Sequence, residues 1–284
     1  MEVTISRKGK ENRDKDNDLF EIVLLAKNMR GYKNLIDMVT ESWLHGTYNG
    51  RPRIDFELLE KYKEHLIGLS GSTMGEIPQH ITTGKTEEYI RSRIAYYEGL
   101  FGKDDFYLEL QAHPDRGNQP KINDYLVKLS HTYGYKVVAT NHVYYIDQSD
   151  AEARDLFYCI GDGRSLEDPD RPTLIEGNNA LRSAEEMMEL FAHVPEAIET
   201  TIEINNKIHI DIPYGQTLIP TFELAKEEQD KFEHYITTLP SGIKIQSEEE
   251  WNLRRICIEG LNYRYNFSLD ESTILEFIHK RDIT

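Results

Sequence analysis

Lys136-Val137-Val138-Ala139-Thr140-Asn141-His142-Val143-Tyr144-Tyr145-Ile146 is the stretch on which the fold turns. Val137–Thr140 is an apolar, β-branched run of strand length. It ends in Asn141, His142 and two tyrosines, side chains a buried strand would not choose for packing alone. Ser149-Asp150-Ala151-Glu152 then reads as a capping box, and Leu156, Phe157 and Ile160 form a helical apolar stripe closed by Gly161. A strand thus delivers polar groups to its carboxyl end just before a helix, the rim where α/β folds bind ligands and metals. An ordinary polar strand-to-helix loop fits these residues equally well.

Working backwards, the same grammar repeats. Phe20–Ala26 and Leu66–Leu69 are strand candidates, and Phe106-Tyr107-Leu108-Glu109-Leu110-Gln111 alternates with Glu109 and Gln111 opposite the apolar face. Helical spacing appears in Gly31–Leu44, Phe56–Tyr62, Thr86–Leu100 and from Pro120 to a stop at Gly134. Strand and helix alternate at intervals suited to βαβ units and a parallel sheet. If that sheet closes into a barrel, Ser70–Ser72, Glu109, Gln111, Asn141 and His142 converge at one rim.

The remainder is less regular. Residues 1–18 carry almost no apolar side chains and read as a flexible charged segment. Beyond Ile160, Asp168–Pro172 is a turn-rich loop, Ser183–Phe191 a capped helix, and Pro195 the start of another. Ile208–Pro220 reads as extended, Lys226–Lys244 as polar with a Pro-Ser-Gly break, and Ser247–Tyr265 as a last helix; a boundary is expected near Gly215.

Composition narrows the function. The formal net charge is −17, from 50 acidic against 33 basic side chains. Such a surface repels polyanions, which argues against autonomous nucleic-acid binding. Arg51-Pro52-Arg53 and Arg254-Arg255 are the compact basic candidates and read best as solvated surface. Two cysteines, Cys159 and Cys257, are too few for a disulfide framework. No apolar run has bilayer-spanning length and no signal peptide is visible, so the expectation is a cytoplasmic protein without membrane contact. Candidate metal ligands are sparse: Glu109, His113 and His142, which as a set would suit a metal-dependent phosphoesterase.

Several motifs resemble, in order, those of the bacterial replicative DNA polymerase III alpha subunit. They are Leu24–Asn28 with Gly31–Leu35, Arg51–Asp55, Leu69–Pro78, Phe106–Gln111, Val138–Asn141, Asp150–Ala153, Cys159-Ile160, Glu167–Arg171, Ser183–Glu196 and Leu218–Phe222. The resemblance covers residues 19–222. It implies a polymerase-and-histidinol-phosphatase (PHP) domain, a distorted (β/α)7 barrel, here over residues 19–215 and lacking its first strand. Residues 216–284 would be a linker and the start of the polymerase core, with Trp251–Tyr265 resembling the helical segment that opens it. Family members with an intact site bind metals at strand ends; in others the domain is a scaffold that contacts a proofreading exonuclease.

This chain departs from the metal-binding pattern. Ser72 stands where many members have Cys, and His142-Val143-Tyr144 replaces an Asp-x-His; the family's His-x-His is expected upstream of this chain. Glu109 remains. The resemblance therefore implies a degenerate site, with zinc or manganese unlikely there and magnesium belonging to the parent polymerase. DNA and deoxynucleotides are likewise the parent's ligands, since no palm-type Asp-x-Asp occurs here. The implied partners are the rest of the alpha chain and a proofreading exonuclease subunit. The piece itself is expected to be inactive and, with open sheet edges, prone to association.

Overall fold

The computed structural model describes residues 1–12, 19–113, 117–168, 170–171, 178–215, 224–238, 245 and 247–265. The Leu218–Phe222 motif and the Pro-Ser-Gly break lie outside them. The chain divides into two compact units, Met1–Ile212 and Pro213–Thr284.

The first unit is built on one open five-stranded sheet in sequence order. Its strands are β1 (Glu2–Ser6), β2 (Leu19–Ala26), β3 (Leu66–Leu69), β4 (Phe106–Gln111) and β5 (Val137–Thr140). Three expectations need correction. β1 lies inside the segment read as flexible: Ile5 is fully buried, and β1 pairs antiparallel with β2, placing Thr4 opposite Glu21. β2 also runs antiparallel to β3, so the sheet is mixed, with only β3–β4 and β4–β5 parallel. Apolar patterning sets which residues face the core but not the direction of the neighbouring strand. Finally, no closed barrel forms among the described residues; the sheet stays open, and β1 is flanked by a bridge from Ile5 to Ile54.

Helices cover both faces. On one side lie α1 (Met29–His45), α2 (Phe56–Tyr62), α3 (Glu76–Thr82), α4 (Glu87–Phe101) and α5 (Gln119–Tyr133). Their ends follow local chemistry: Asn28 caps α1 through Arg30 and Gly31, Asp55 caps α2 through Leu58, and Gly134 ends α5 in a left-handed turn. Ile22, Leu24, Met38, Leu59, Leu108, Leu110, Ile122 and Leu126 form the core between these helices and the sheet. On the other face Ile67, Leu69, Tyr107 and Val138 pack against Ile204 of α8 (Glu196–Lys207). Between β5 and α8 come a 3-10 turn (Gln148–Asp150), α6 (Ala151–Asp162) and α7 (Ala184–Leu190). The capping box expected at Ser149 is instead formed by Asp147 and Asp150 on that turn, whereas Ser183 and Glu186 do form the one expected at α7.

One buried charge ties the first side together. Glu76 is 2% exposed at the start of α3, a helix that sequence periodicity did not suggest. Arg93 of α4 meets it with two bonds, Nε to Oε1 at 2.9 Å and an Nη to Oε2 at 3.0 Å. Tyr97 donates to Oε2 at 2.7 Å, and Arg7, just past β1, stands 3.4 Å from Oε1. His80 lies 3.4 Å from the same oxygen, its pKa pushed down by burial. Arg53 is buried too, correcting the expectation of solvated surface. It is 1% exposed, donates to the carbonyls of Gly46, Lys10 and Asn12, and lies over the Tyr48 ring.

In the second unit α9 (Lys226–Thr238) and α10 (Glu248–Tyr265) pair through the Phe232 and Trp251 rings, 5.7 Å apart, and an Arg255–Glu228 ion pair at 2.9 Å.

Removing one member of the Glu76–Arg93 pair leaves a buried charge with incomplete compensation. Arg93→Leu is expected to lower the unfolding free energy of the first unit by roughly 3–5 kcal/mol. Glu76→Leu combined with Arg93→Leu should recover a large part of that loss in urea denaturation, because the pair is worth less than the cost of orphaning either half.

Candidate functional site: the polar rim of the sheet

The strand period fixes what the rim can contain. Tyr107, Glu109 and Gln111 share one face of β4, as Val138 and Thr140 share one face of β5, and the ladder pairs Glu109 with Val138 and Gln111 with Thr140. α8 covers the amino-terminal half of that face. Tyr107 is buried there, its hydroxyl 2.9 Å from Glu203 and 2.7 Å from Lys207 Nζ. Burial would raise the Glu203 carboxyl, but hydrogen bonds from Lys136, Lys207 and Tyr107 outweigh it and hold the pKa at about 2. The carboxyl-terminal half carries the candidate residues.

Glu109 is 4% exposed. Its backbone N–H donates to Ser70 Oγ at 2.9 Å, and its Oε1 accepts from Thr140 Oγ1 at 2.7 Å and from Gln111 Nε2 at 3.1 Å. Its Oε2 is buried without a hydrogen-bond partner among the described residues. His113 is buried just beyond the strand, and its Nε2 accepts the backbone N–H of His142 at 3.3 Å. That bond directs the Nε2 lone pair at the loop and fixes the tautomer with the proton on Nδ1. The His113 and His142 rings lie 6.4 Å apart, and His142 packs on Tyr144 at 4.6 Å. The Arg154 guanidinium also lies over the Tyr144 ring, 4.9 Å from its centroid. Asn179 Nδ2 clamps the His142 carbonyl at 2.6 Å, and Asn141 Nδ2 the Ala180 carbonyl at 2.8 Å.

The rim thus brings together Glu109, Gln111, Ser70 and Thr140, and beside them His113, His142 and Tyr144. Ser72 stands apart. Its hydroxyl accepts the Met74 N–H at 3.3 Å and bonds the Glu21 carboxyl of β2. Gly71 makes that turn possible: its φ is +79°, and a Cβ would sit 2.8 Å from the Glu21 carbonyl oxygen. Among the described residues no three His, Cys, Asp or Glu side chains stand close enough together to hold a metal ion. Ser70, which accepts the Glu109 backbone N–H, was expected at the rim with the other strand-end residues, whereas Thr140, which holds the carboxylate, was not among the candidates. Its signal was only that it is the hydroxyl residue ending a short apolar strand.

Glu21 is the most perturbed carboxyl near the rim. Burial, then the Glu2 carboxyl on β1, push its pKa up to about 7, against the lowering effects of Ser72 and Arg51. With the folded value above the unfolded one of 4.5, the folded state holds the extra proton. Stability from this group is therefore present at low pH and is lost as pH rises through about 7. His80, with its lowered pKa, works in the opposite direction, so variants must be compared with the parent at each pH. Glu21→Gln is expected to stabilise the chain at alkaline pH while leaving acidic pH little changed, read as urea midpoints across the range. An unchanged pH profile would contradict the shared-proton geometry.

Comparison with known proteins matches this architecture to a family. Residues 1–113, which include β1 to β4, Ser72, Glu109 and His113, match the PHP domain model. The chain is 34% identical over 275 residues to DNA polymerase III subunit alpha of Campylobacter jejuni, covering 93% of this chain and 22% of the relative. The subunit of Treponema pallidum is 34% identical over 263 residues, covering 91% and 21%. That of Escherichia coli is 36% identical over 208 residues, covering 72% and 17%. The chain therefore carries a PHP domain and belongs to the DNA polymerase III alpha family, of whose members' length it spans about a fifth.

Proposed function

We propose that the chain works as a section of a replicative polymerase alpha subunit, one that supports templated DNA synthesis without performing a step of it. In this reading residues 19–215, with β1 added, are a PHP-type scaffold, and residues 216–284 are the linker and opening of the polymerase region. Deoxynucleotides, DNA and magnesium are ligands of the parent subunit, and a proofreading exonuclease is a candidate neighbour of the scaffold.

The observation that carries the scaffold reading is how Glu109 is held. One carboxylate oxygen accepts from the Thr140 hydroxyl and the Gln111 amide, and His113 Nε2 accepts a backbone N–H. Ser72 and Tyr144 supply poor ligands at the family's other positions, and a serine hydroxyl binds divalent metals far more weakly than a thiolate. This donor set does not suit zinc or manganese, so no hydrolytic step is assigned to it. The second reading, a metal-dependent phosphoesterase, draws on the unpartnered Oε2 of Glu109.

Glu109→Gln separates the two, because the amide keeps an oxygen for Thr140 but loses the anionic ligand. The variant is placed in a chimera in which this chain replaces the matched region of the Campylobacter jejuni subunit, and primer extension is measured. The expected result is extension within about twofold of the unsubstituted chimera. Manganese-dependent phosphoester hydrolysis by the parent chain, abolished by Glu109→Gln, would establish the phosphoesterase instead.

A further inference from the structure

Asn49-Gly50 is the one Asn-Gly pair in the chain. It fills the two central positions of a hairpin turn in which Tyr48 N–H donates to the Arg51 carbonyl at 2.9 Å and Arg51 N–H to the Tyr48 carbonyl at 3.0 Å. Both central residues are left-handed, Asn49 at φ +49° and Gly50 at φ +74°. This is the type I′ shape, which selects Asn followed by Gly because few other side chains tolerate positive φ. The same pair is chemically labile, since asparagine amides are among the least durable side chains and glycine has no Cβ to shield its nitrogen from them. Here that nitrogen is accessible. Asn49 and Gly50 are both exposed, a Cβ placed on Gly50 would meet open space, and the Gly50 N–H makes no hydrogen bond among the described residues. Two turn bonds have to open for the side chain to reach it, and exposed loop tips open at little cost. The comparable Asp162-Gly163 is committed to the fold: Asp162 pairs with Arg164 at 2.8 Å, and the Gly163 N–H closes α6 on the Ile160 carbonyl.

We infer that Asn49 is a site of spontaneous backbone modification, converting through a cyclic imide to isoaspartate and aspartate. The Gly50 nitrogen gives up its proton and bonds to Asn49 Cγ; the Cγ–Nδ2 bond breaks, and Nδ2 leaves with that proton as ammonia. Water then opens the imide. Breaking the bond from the Gly50 nitrogen to the Asn49 backbone carbonyl carbon leaves the chain running through Cγ, as isoaspartate; breaking the bond to Cγ leaves aspartate. One amide and one water are consumed, and one carboxylate and one ammonium form. The product reaches beyond the turn. Isoaspartate adds a backbone carbon to a two-residue loop, so Tyr48 and Arg51 lose their paired register. The Arg53 guanidinium lies 4.8 Å from the Tyr48 ring and donates to the carbonyls of Gly46, Lys10 and Asn12. A shift of Tyr48 therefore loosens the hold of Arg53 on the segment that follows β1.

The test incubates the chain at mildly acidic and at alkaline pH beside a free peptide of residues 47–53 and the variant Asn49→Gly, which suits the same turn without a side-chain amide. Mass analysis of proteolytic peptides locates deamidation, and enzymatic methylation of the isoaspartate α-carboxyl with labelled S-adenosylmethionine reports the altered linkage. Mass gain and label should appear on the peptide holding Asn49, faster at alkaline pH, where the Gly50 nitrogen is more readily deprotonated, and neither should appear there in Asn49→Gly. The rate should fall below that of the free peptide by about thirtyfold or less, as opening two backbone hydrogen bonds requires. Over the same incubation the urea midpoint of the parent chain should drop while that of Asn49→Gly holds. Conversion at Asn49 no faster than at the other asparagines, or none while the free peptide converts fully, would overturn the assignment of the site. An unchanged midpoint after conversion would overturn the coupling to Arg53.

Discussion

The Glu76–Arg93 pair is the constraint on which the amino-terminal unit depends. A carboxylate 2% exposed is tolerable only if nearly every lone pair is met, and here Arg93, Tyr97, His80 and Arg7 come from three separate parts of the chain to meet it. Each donor fixes an element: Arg93 and Tyr97 orient α4, His80 closes the first turn of α3, and Arg7 anchors the end of β1. Arg93 also lies over the Tyr96 ring at 4.5 Å, so the same guanidinium is positioned by packing. With α3 and α4 fixed, the turn from Ser70 to Gly75 is fixed as well, and with it the rim beside Glu109.

The sheet has a division of labour along its strands. At the amino ends of the parallel strands, Glu203, Lys207, Lys136 and Tyr107 form a saturated cluster that holds α8 against the sheet. At the carboxyl ends, where α/β proteins place their chemistry, the groups are again mostly tied to one another. Thr140, Gln111 and Ser70 hold Glu109, and Asn179 and His113 hold the His142 backbone. The network fixes the Glu109 carboxylate through Oε1, and its Oε2 is left without a hydrogen-bond partner among the described residues.

Much of this was legible in the sequence, and the gaps have physical causes. Phe106–Gln111 announced β4 by strict alternation, and the stops at Gly134 and Pro120 bounded α5. β1 was hidden because only Val3 and Ile5 mark it in a charged stretch, and its stability comes from pairing with β2 rather than from its own composition. α3 was missed because a seven-residue helix holding Pro78 and a buried Glu76 has no periodic stripe to read. Strand direction was not legible, since β2 presents the same apolar run whether its neighbour is parallel or antiparallel. The α6 stripe was seen, but periodicity locates a stripe without saying which side of the helix meets the core. At the rim His113, His142 and Tyr144 lie against one another and Glu109 is held by Gln111 and Thr140, whereas Ser72 turned away toward Glu21 and the role of Thr140 depended on its register against Gln111.

The central claim is that the Glu109 carboxylate is held by protein donors and not by a metal ion. Anomalous diffraction from crystals grown in manganese addresses it most directly. The account predicts no anomalous peak at the rim and an intact bond from Thr140 to Glu109; a peak within coordination distance of Glu109 Oε2, about 2.0–2.3 Å, would contradict it.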